Sequence, residues 1–447
     1  MAGGRGDDAR LGPLRQAVAA RPGSGVARHN LAAALGDLGR HGEALSTADQ
    51  ALKLGTDAPE TWLVKARAHL GLAELDAAEA AFRQSLRRRP DYADAHRDLA
   101  QLLWMCTADG RAALAPLDAA PKTPALLALR ARVLEFTGDP AGAATAVEAA
   151  VAAAPADLGL RLQAANLAAH AGQAEAAAAH AEAALRLQPG EPRAVAAYLT
   201  ALLGLGRAVE AAEIAQALLA RTPHDQSLLA LLATAWRLAG DPQWRTLWDE
   251  PFIAARSIEK PSGWPDLPSY LADLRTALRD LHGPLRTHPL EQSLRGGSQT
   301  PQNLQAVEHP AVRAFFTAID APIRAYLQAI GRGPGPLASR NTGDYAIKGV
   351  WSVRLRKGGN HVDHTHSEGW ISSAFYVDLP RALDTDRQGW IRFGRPPFPT
   401  RPALEPFLHL RPEPGRLVLF PSYLWHGTEP FTSDEERLTI AFDLVPA

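Results

Sequence analysis

Residues 360–370 read NHVDHTHSEGW, with three histidines and an aspartate inside six positions. Imidazole and carboxylate are the side chains that hold first-row transition ions, so this stretch is a candidate metal-ligand loop. Two overlapping pairs compete for the role. His361 and Asp363 form an H-x-D pair, and His364 and His366 form an H-x-H pair. On extended backbone, side chains at i and i+2 point to the same side, so either pair can chelate one ion. The two pairs face opposite ways, and both can serve a single ion only if the loop bends. The plainer readings are a solvated polar loop or histidines capping a strand end. Against them stands His426, in LVLFPSYLWHGTEPF, where an apolar strand runs into a Trp-His-Gly turn. A histidine fixed between a packed strand and a tight turn has the set direction that a third ligand needs.

Eleven residues later comes Arg437, in ERLTIAFDL. Alternation puts Arg437, Thr439 and Ala441 on one face and Leu438, Ile440 and Phe442 on the other. The apolar set belongs in a core between layers, which turns Arg437 and Thr439 toward the inside of a barrel. An inward arginine needs an anion, and a carboxylate gripped by two parallel N–H donors suits it best. A surface salt bridge is the competing explanation.

Strands must carry these residues. WSVRLR (351–356), WISSAFYVDL (370–379), GRLVLFPS (415–422) and RLTIAFDLV (437–445) alternate or run apolar between Pro/Gly loops, with no helices between them. That pattern predicts an antiparallel barrel or sandwich. Ahead of them, SYLADLRTALRDLHG and PAVRAFFTAIDAPIRAYLQAIG have helical spacing and end at glycine. The stretch between, HPLEQSLRGGSQTPQNL, shows neither period and is expected to be a polar surface excursion.

The first half of the chain is built differently. Prolines 90, 124, 155, 189 and 223 are spaced by 34, 31, 34 and 34 residues. Ala78, Ala112, Ala143, Ala177 and Ala211 each lie twelve residues before one of them, and Ala44 extends the series. A second set, Ala66, Ala100, Ala131 and Ala165, runs ahead of the first. Small residues at fixed offsets let two helices approach closely, and the proline ends the second helix. A generic Ala-rich bundle has no reason to keep this period. Boundaries are expected at 1–24 for a tail and leading half-repeat, 25–245 for the array and 246–447 for the remainder.

Composition excludes several classes. Lysine and arginine number 47 against 48 acidic residues, so no global field recruits nucleic acid or anionic lipid. The single cysteine, Cys106, rules out an internal disulfide. No apolar run is long enough for a signal sequence or a membrane span, and a cytoplasmic location is expected.

With Trp62, Leu70-Gly71 and Phe82 in matching slots, residues 10–240 resemble the tetratricopeptide repeat family. The resemblance implies a superhelix whose groove holds a protein or peptide segment. HPLEQSLRGGSQT, GNHVDHTHSEGWISSAFYVDLP, GWIRFGRPPF and PGRLVLFPSYLWHGTEPF resemble the iron(II)/2-oxoglutarate-dependent oxygenases. More narrowly, the chain is similar to those found fused to tetratricopeptide repeats in bacteria. The resemblance implies a double-stranded β-helix, or jelly-roll, barrel with flanking helices. It also selects the H-x-H pair, since the family's spacing from the glycine turn at Gly358 reaches His364. Carried over in this way, His364, His366 and His426 hold iron(II), with Asp363 as the alternative ligand. Arg437 and Thr439 bind the far carboxylate of 2-oxoglutarate, and no catalytic residue beyond the ligands is implied. Trp370, Ser372 and Gln299, in the RGGSQT loop, are candidate pocket walls. The wider superfamily has an aspartate where this chain has His366, leaving Asp363 or Glu368 to supply a carboxylate. The implied function is a dioxygenase that hydroxylates a partner bound by the repeats. Its rivals are a non-catalytic repeat scaffold with a degenerate metal barrel, and a three-histidine enzyme working without 2-oxoglutarate.

Overall fold

The computed structural model describes residues 3–283, 285–290, 292–300, 303–381 and 386–447. The chain divides into two compact units, residues 1–153 and 154–447.

The first unit is helical throughout. It runs from Gly3–Ala20 through Gly25–Asp37, His41–Lys53, Pro59–Gly71, Leu75–Arg88, Ala93–Thr107, Gly110–Asp118 and Pro124–Thr137 to Pro140–Ala153. The periodic alanines sit where consecutive helices touch: Ala44, Ala66, Ala78, Ala100, Ala131 and Ala143 are all fully buried. One repeat departs from the pattern. Its second helix, Gly110–Asp118, is shortened and carries Pro116, and Ala113 rather than Ala112 is buried. Pro124 does not end a helix as its offset predicted. It opens the next one, where a missing N–H costs no hydrogen bond.

The second unit begins with more helices of the same kind, Leu158–His170, Ala174–Leu187, Pro192–Gly204, Ala208–Leu219 and Gln226–Ala239. Strands follow: β1 (Ala254–Ser257), β2 (Leu294–Gln299), β3 (Tyr345–His361), β4 (Ile371–Asp378), β5 (Ile391–Phe393), β6 (Leu408–Leu410), β7 (Arg416–Pro421), β8 (His426–Thr428) and β9 (Arg437–Pro446). Six of them form an antiparallel sheet in the order β1-β7-β4-β9-β3-β2, and the other three form a small sheet β6-β5-β8. The antiparallel barrel or sandwich expected from the strands is present as two open sheets, with no closed barrel among the described residues. The segment between β5 and β6 explains part of this. Prolines 396, 397, 399, 402 and 406 cannot donate to a ladder, so the small sheet stays three residues deep.

The large sheet has two unlike faces. Ile371, Phe375, Leu417, Leu419, Leu438, Ile440, Phe442 and Leu444 pack against helices Leu267–His282, Pro310–Ala318 and Asp320–Ile330. The last two helices are one predicted helix split at Ile319, because Pro322 has no N–H for the carbonyl of Ala318. The opposite face carries Arg437, Thr439 and Asp443 on β9, as the alternation requires.

The predicted excursion is instead an edge strand. β2 pairs with β3 through a bulge between Arg295 and Gly297. A Cβ on Gly297 would lie 2.2 Å from the Arg354 carbonyl oxygen, and one on Gly296 would lie 2.9 Å from Gly359 Cα. Backbone meets backbone there, so the strand has no side-chain alternation to reveal it. Glu291, Pro301 and Gln302 of that stretch fall outside the described residues.

The last helices and the sheets also share one core. Leu228, Leu232 and Trp236 of Gln226–Ala239 cluster with Trp248, Phe393, Phe398, Val418, Phe420, Tyr423 and Trp425. Arg237 ties the same helix to the carbonyls of Gly394, at 2.9 Å, and Glu405, at 2.7 Å.

Candidate metal centre

The loop after β3 is held straight where its histidines lie. His364 and His426 exchange both backbone hydrogen bonds, 3.0 and 3.1 Å, and the His366 N–H donates to Ser422 at 3.0 Å. This bridge brings the H-x-H pair opposite the first residue of β8. The metal-capable nitrogens of His364, His366 and His426 all lie within 4.8 Å of one another.

The other nitrogen of each ring is already engaged. His364 Nδ1 sits 2.8 Å from the Val362 carbonyl and His426 Nδ1 2.9 Å from the Leu424 carbonyl. His366 Nδ1 sits 2.7 Å from both carboxylate oxygens of Asp443. A carbonyl or carboxylate accepts the Nδ1 proton, which leaves Nε2 as a bare lone pair. Three such lone pairs converge, with His364 and His366 Nε2 3.1 Å apart. Electrostatics suit an ion better than a proton. Burial, with His366 adding to it, takes His364 down to about 3. Burial, then His364 and His366, holds His426 well below its ordinary value.

His361 belongs to the surroundings of the trio. Its ring stacks on His364 with centroids 6.0 Å apart, and Ser293 Oγ bridges His361 Nδ1, at 3.1 Å, and His364 Nε2, at 3.2 Å. Asp363 points away into the small sheet. It is 4% exposed, gripped by Arg392 through Nε and Nη2 at 2.8 and 2.9 Å and by Arg395 at 2.9 Å. Both of its oxygens are occupied, and a Cβ on Gly427 would come within 2.6 Å of one of them. Glu368 is exposed and pairs with Lys348 at 2.6 Å. Neither carboxylate that the sequence suggested reaches the trio.

Arg437 is 2% exposed, and its Nε has no hydrogen-bond partner among the described residues. Its guanidinium lies over the Tyr376 ring, 5.1 Å from the centroid. Tyr376 is also its electrostatic partner, in place of a carboxylate, and burial lowers the Arg437 pKa. A buried cation without a counter-charge is costly unless an anion joins it. Thr439 is buried beside it, opposite Val353 on β3 and Tyr376 on β4. Gln299 continues that row on β2, so it shares their face.

The other pocket candidates have different places. Trp370 donates its indole N–H to the Leu337 carbonyl at 2.9 Å and packs in the helix-side core. Ser372 donates to Asp443 Oδ1 at 2.7 Å and lies 2.9 Å from Ser422 Oγ. It supports the centre from behind. Asp443 is the residue that the sequence reading passed over, although it continues the Arg437–Thr439 face at the same period of two.

Fold and site together define a repeat protein joined to a two-sheet region that bears a three-histidine cluster. Residues 349–443 match the family described as "Putative 2OG-Fe(II) oxygenase", and residues 63–126 and 128–192 match the tetratricopeptide repeat family. No curated protein matches the chain. Among solved structures it is similar to YrrB, a tetratricopeptide repeat protein with an unusual peptide-binding site, at 18% identity over 41% of this chain and 95% of that one, TM-score 0.27. It is also similar to a thermophilic repeat protein of Thermus thermophilus, at 25% identity over 40% and 100% of the chains, TM-score 0.32. The type IV pilus biogenesis factor PilW matches at 20% identity over 46% and 98%, TM-score 0.38. No helix among the described residues is long and apolar enough to cross a membrane.

Proposed function

We propose that residues 246–447 form an iron(II)- and 2-oxoglutarate-dependent dioxygenase domain that hydroxylates a protein or peptide held by the repeats of 25–245, with 1–24 as a tail and leading half-repeat. One observation carries the reading. Three imidazoles with their Nδ1 protons committed elsewhere turn bare Nε2 atoms to one point, on the sheet face that also bears buried Arg437, whose Nε has no hydrogen-bond partner among the described residues.

The donor set fits a divalent transition ion, and the buried guanidinium, with its Nε unsatisfied among the described residues, fits a carboxylate. His364, His366 and His426 would hold the metal, and Arg437 with Thr439 would receive the far carboxylate of 2-oxoglutarate. Iron(II) and 2-oxoglutarate together supply the activation of dioxygen, with succinate and carbon dioxide released as the substrate C–H becomes C–OH. The chain's own contribution is placement. The His364–His426 backbone bridge fixes two ligands against each other, and Asp443 fixes the third. Phe420, with its ring centroid 4.5 Å from that of His426, and Trp351, stacked 6.3 Å from His366, pack against two of the rings. Repeats of this type present grooves to extended segments, which supports a macromolecular substrate.

The test is an anaerobic iron(II) titration followed by succinate release from 2-oxoglutarate. Wild-type protein should bind about one iron, and His426→Ala should abolish binding while remaining folded. Absence of iron binding by the wild type would leave the non-catalytic scaffold as the better reading.

A further inference from the structure

Three neutral imidazoles leave the whole charge of a divalent ion uncompensated in a buried pocket, where charge is expensive. Two of the three ligand rings rest on neutral carbonyls, those of Val362 and Leu424. His366 alone rests on a carboxylate, with Nδ1 2.7 Å from each oxygen of Asp443. A carboxylate thus stands behind one ring of the trio, an imidazole's width from where the ion would sit.

We propose that Asp443 is the charge-compensating residue of this centre, acting on the metal through the His366 imidazole. This rests on the metal-site reading above and gives the three-histidine set its missing negative charge. The surroundings of Asp443 are arranged for that one partner. Among the described residues its ion-pair partner is His366, with no lysine or arginine competing for it. Ser372 donates to Oδ1 and is itself met by Ser422, so one hydroxyl, backed by a second, holds that carboxylate oxygen. Gly369 leaves the room: a Cβ there would lie 2.3 Å from Ser422 Oγ and 3.6 Å from Asp443 Cγ. A carboxylate hydrogen bonded to Nδ1 makes Nε2 a stronger donor, and its charge reaches the ion through the polarised ring. Asp443 is a positioning residue in this scheme, since it touches neither substrate nor metal.

The experiment is a double-variant cycle on the full chain, read by cobalt(II) and iron(II) affinity and by the cobalt(II) visible spectrum, with circular dichroism to confirm folding. Asp443→Asn keeps an acceptor for Nδ1 but removes the charge, and should weaken metal binding by about 10- to 100-fold. His366→Asp puts a carboxylate directly on the ion and removes the ring through which Asp443 acts. In that background Asp443→Asn should change binding much less than in the wild type. A purely structural Asp443 predicts the same loss in both backgrounds, and that result would overturn the proposal. If Asp443→Asn alone fails to fold, His366→Asp with Asp443→Asn should bind about as tightly as His366→Asp alone, and a loss there as large as that expected in the wild type would overturn the proposal. A wild-type chain that binds neither metal sinks the site itself. Normal wild-type binding unaffected by Asp443→Asn sinks only this inference.

Discussion

Trp425 donates its indole N–H to Thr234 Oγ1, 2.9 Å away and buried, across 191 residues of sequence. Thr234 belongs to Gln226–Ala239, the last repeat-type helix, and Trp425 precedes the candidate ligand His426. Gly394, held by Arg237 of the same helix, donates its own N–H to the Trp425 carbonyl at 2.8 Å. The repeat helix therefore braces the turn that aims one candidate ligand. Thr234→Val strands a buried indole N–H and should cost about 1–3 kcal/mol in urea unfolding. It should also loosen cobalt(II) binding, whereas Thr200→Val, at a hydroxyl bonded only within its own helix, should leave binding unchanged.

Asp363 offers a separation between ligand and strut. Removing one partner of a buried ion pair leaves the other charge bare, at a cost of about 3–5 kcal/mol. Asp363→Ala should lower the unfolding free energy by less than that, because Arg392, 3% exposed, loses its buried counter-charge but keeps Glu429 at 3.1 Å. Metal affinity of the fraction that remains folded should stay near wild type. A loss of metal with stability intact would restore Asp363 to the ligand set.

Arg437 should govern the co-substrate and not the metal. Arg437→Lys keeps the charge but not the planar pair of donors, and Arg437→Ala removes both. A charged hydrogen bond is worth about 1.5–3 kcal/mol, so the KM for 2-oxoglutarate should rise about 10- to 100-fold in the alanine variant. Anaerobic iron(II) binding should be unchanged. Equal losses of both would mean that the arginine is structural.

Acid sensitivity of the metal-free protein should trace in part to His282. Burial first, then Arg354 and Arg356, takes it from 6.5 down to about 3, and its ring nitrogens meet Ser298 and Ser352 at 3.0 and 3.1 Å. Below about pH 6.5 the unfolded chain protonates this histidine and the folded chain does not. The unfolded state then binds more protons, so stability is full above that pH and declines as pH falls toward the folded value. The slope is about 1.4 kcal/mol per pH unit for one group. Urea unfolding at about pH 7.5 and about pH 5, on either side of that unfolded-state value, should show a smaller difference for His282→Gln than for wild type.

Much of this was legible in advance because it rests on periodicity. All but Ala112 of the alanines that recur with the prolines are buried at helix contacts, and the four apolar stretches are β3, β4, β7 and β9. What escaped notice had no period to give it away. β2 is disguised by Gly296 and Gly297, whose missing side chains permit contact between backbones. The Asp363–Arg392–Arg395 cluster joins residues about 30 apart, and nothing local marks Asp363 as a strut in preference to a ligand. Asp443 is the instructive omission. It lies at the fourth position of the face that begins with Arg437 and Thr439, yet a lone acid near the end of an apolar strand reads as the strand fraying into solvent. Following the face one step beyond Ala441 would have found the partner of His366.

The core shared by Gln226–Ala239 and the sheets sets where such a chain can be cut, lengthened or spliced. A repeat array is usually an open-ended ruler, trimmed or extended at either end. Here the ruler is welded at its C-terminal end, because Leu228, Leu232 and Trp236 are interior to the region that carries the histidines. The same core takes in Leu199, Leu202 and Leu203 of Pro192–Gly204 and Ala211 and Ala215 of Ala208–Leu219, so changes of reach must be made ahead of residue 192. A graft of the sheets onto a foreign array would have to carry residues 192–239 with it.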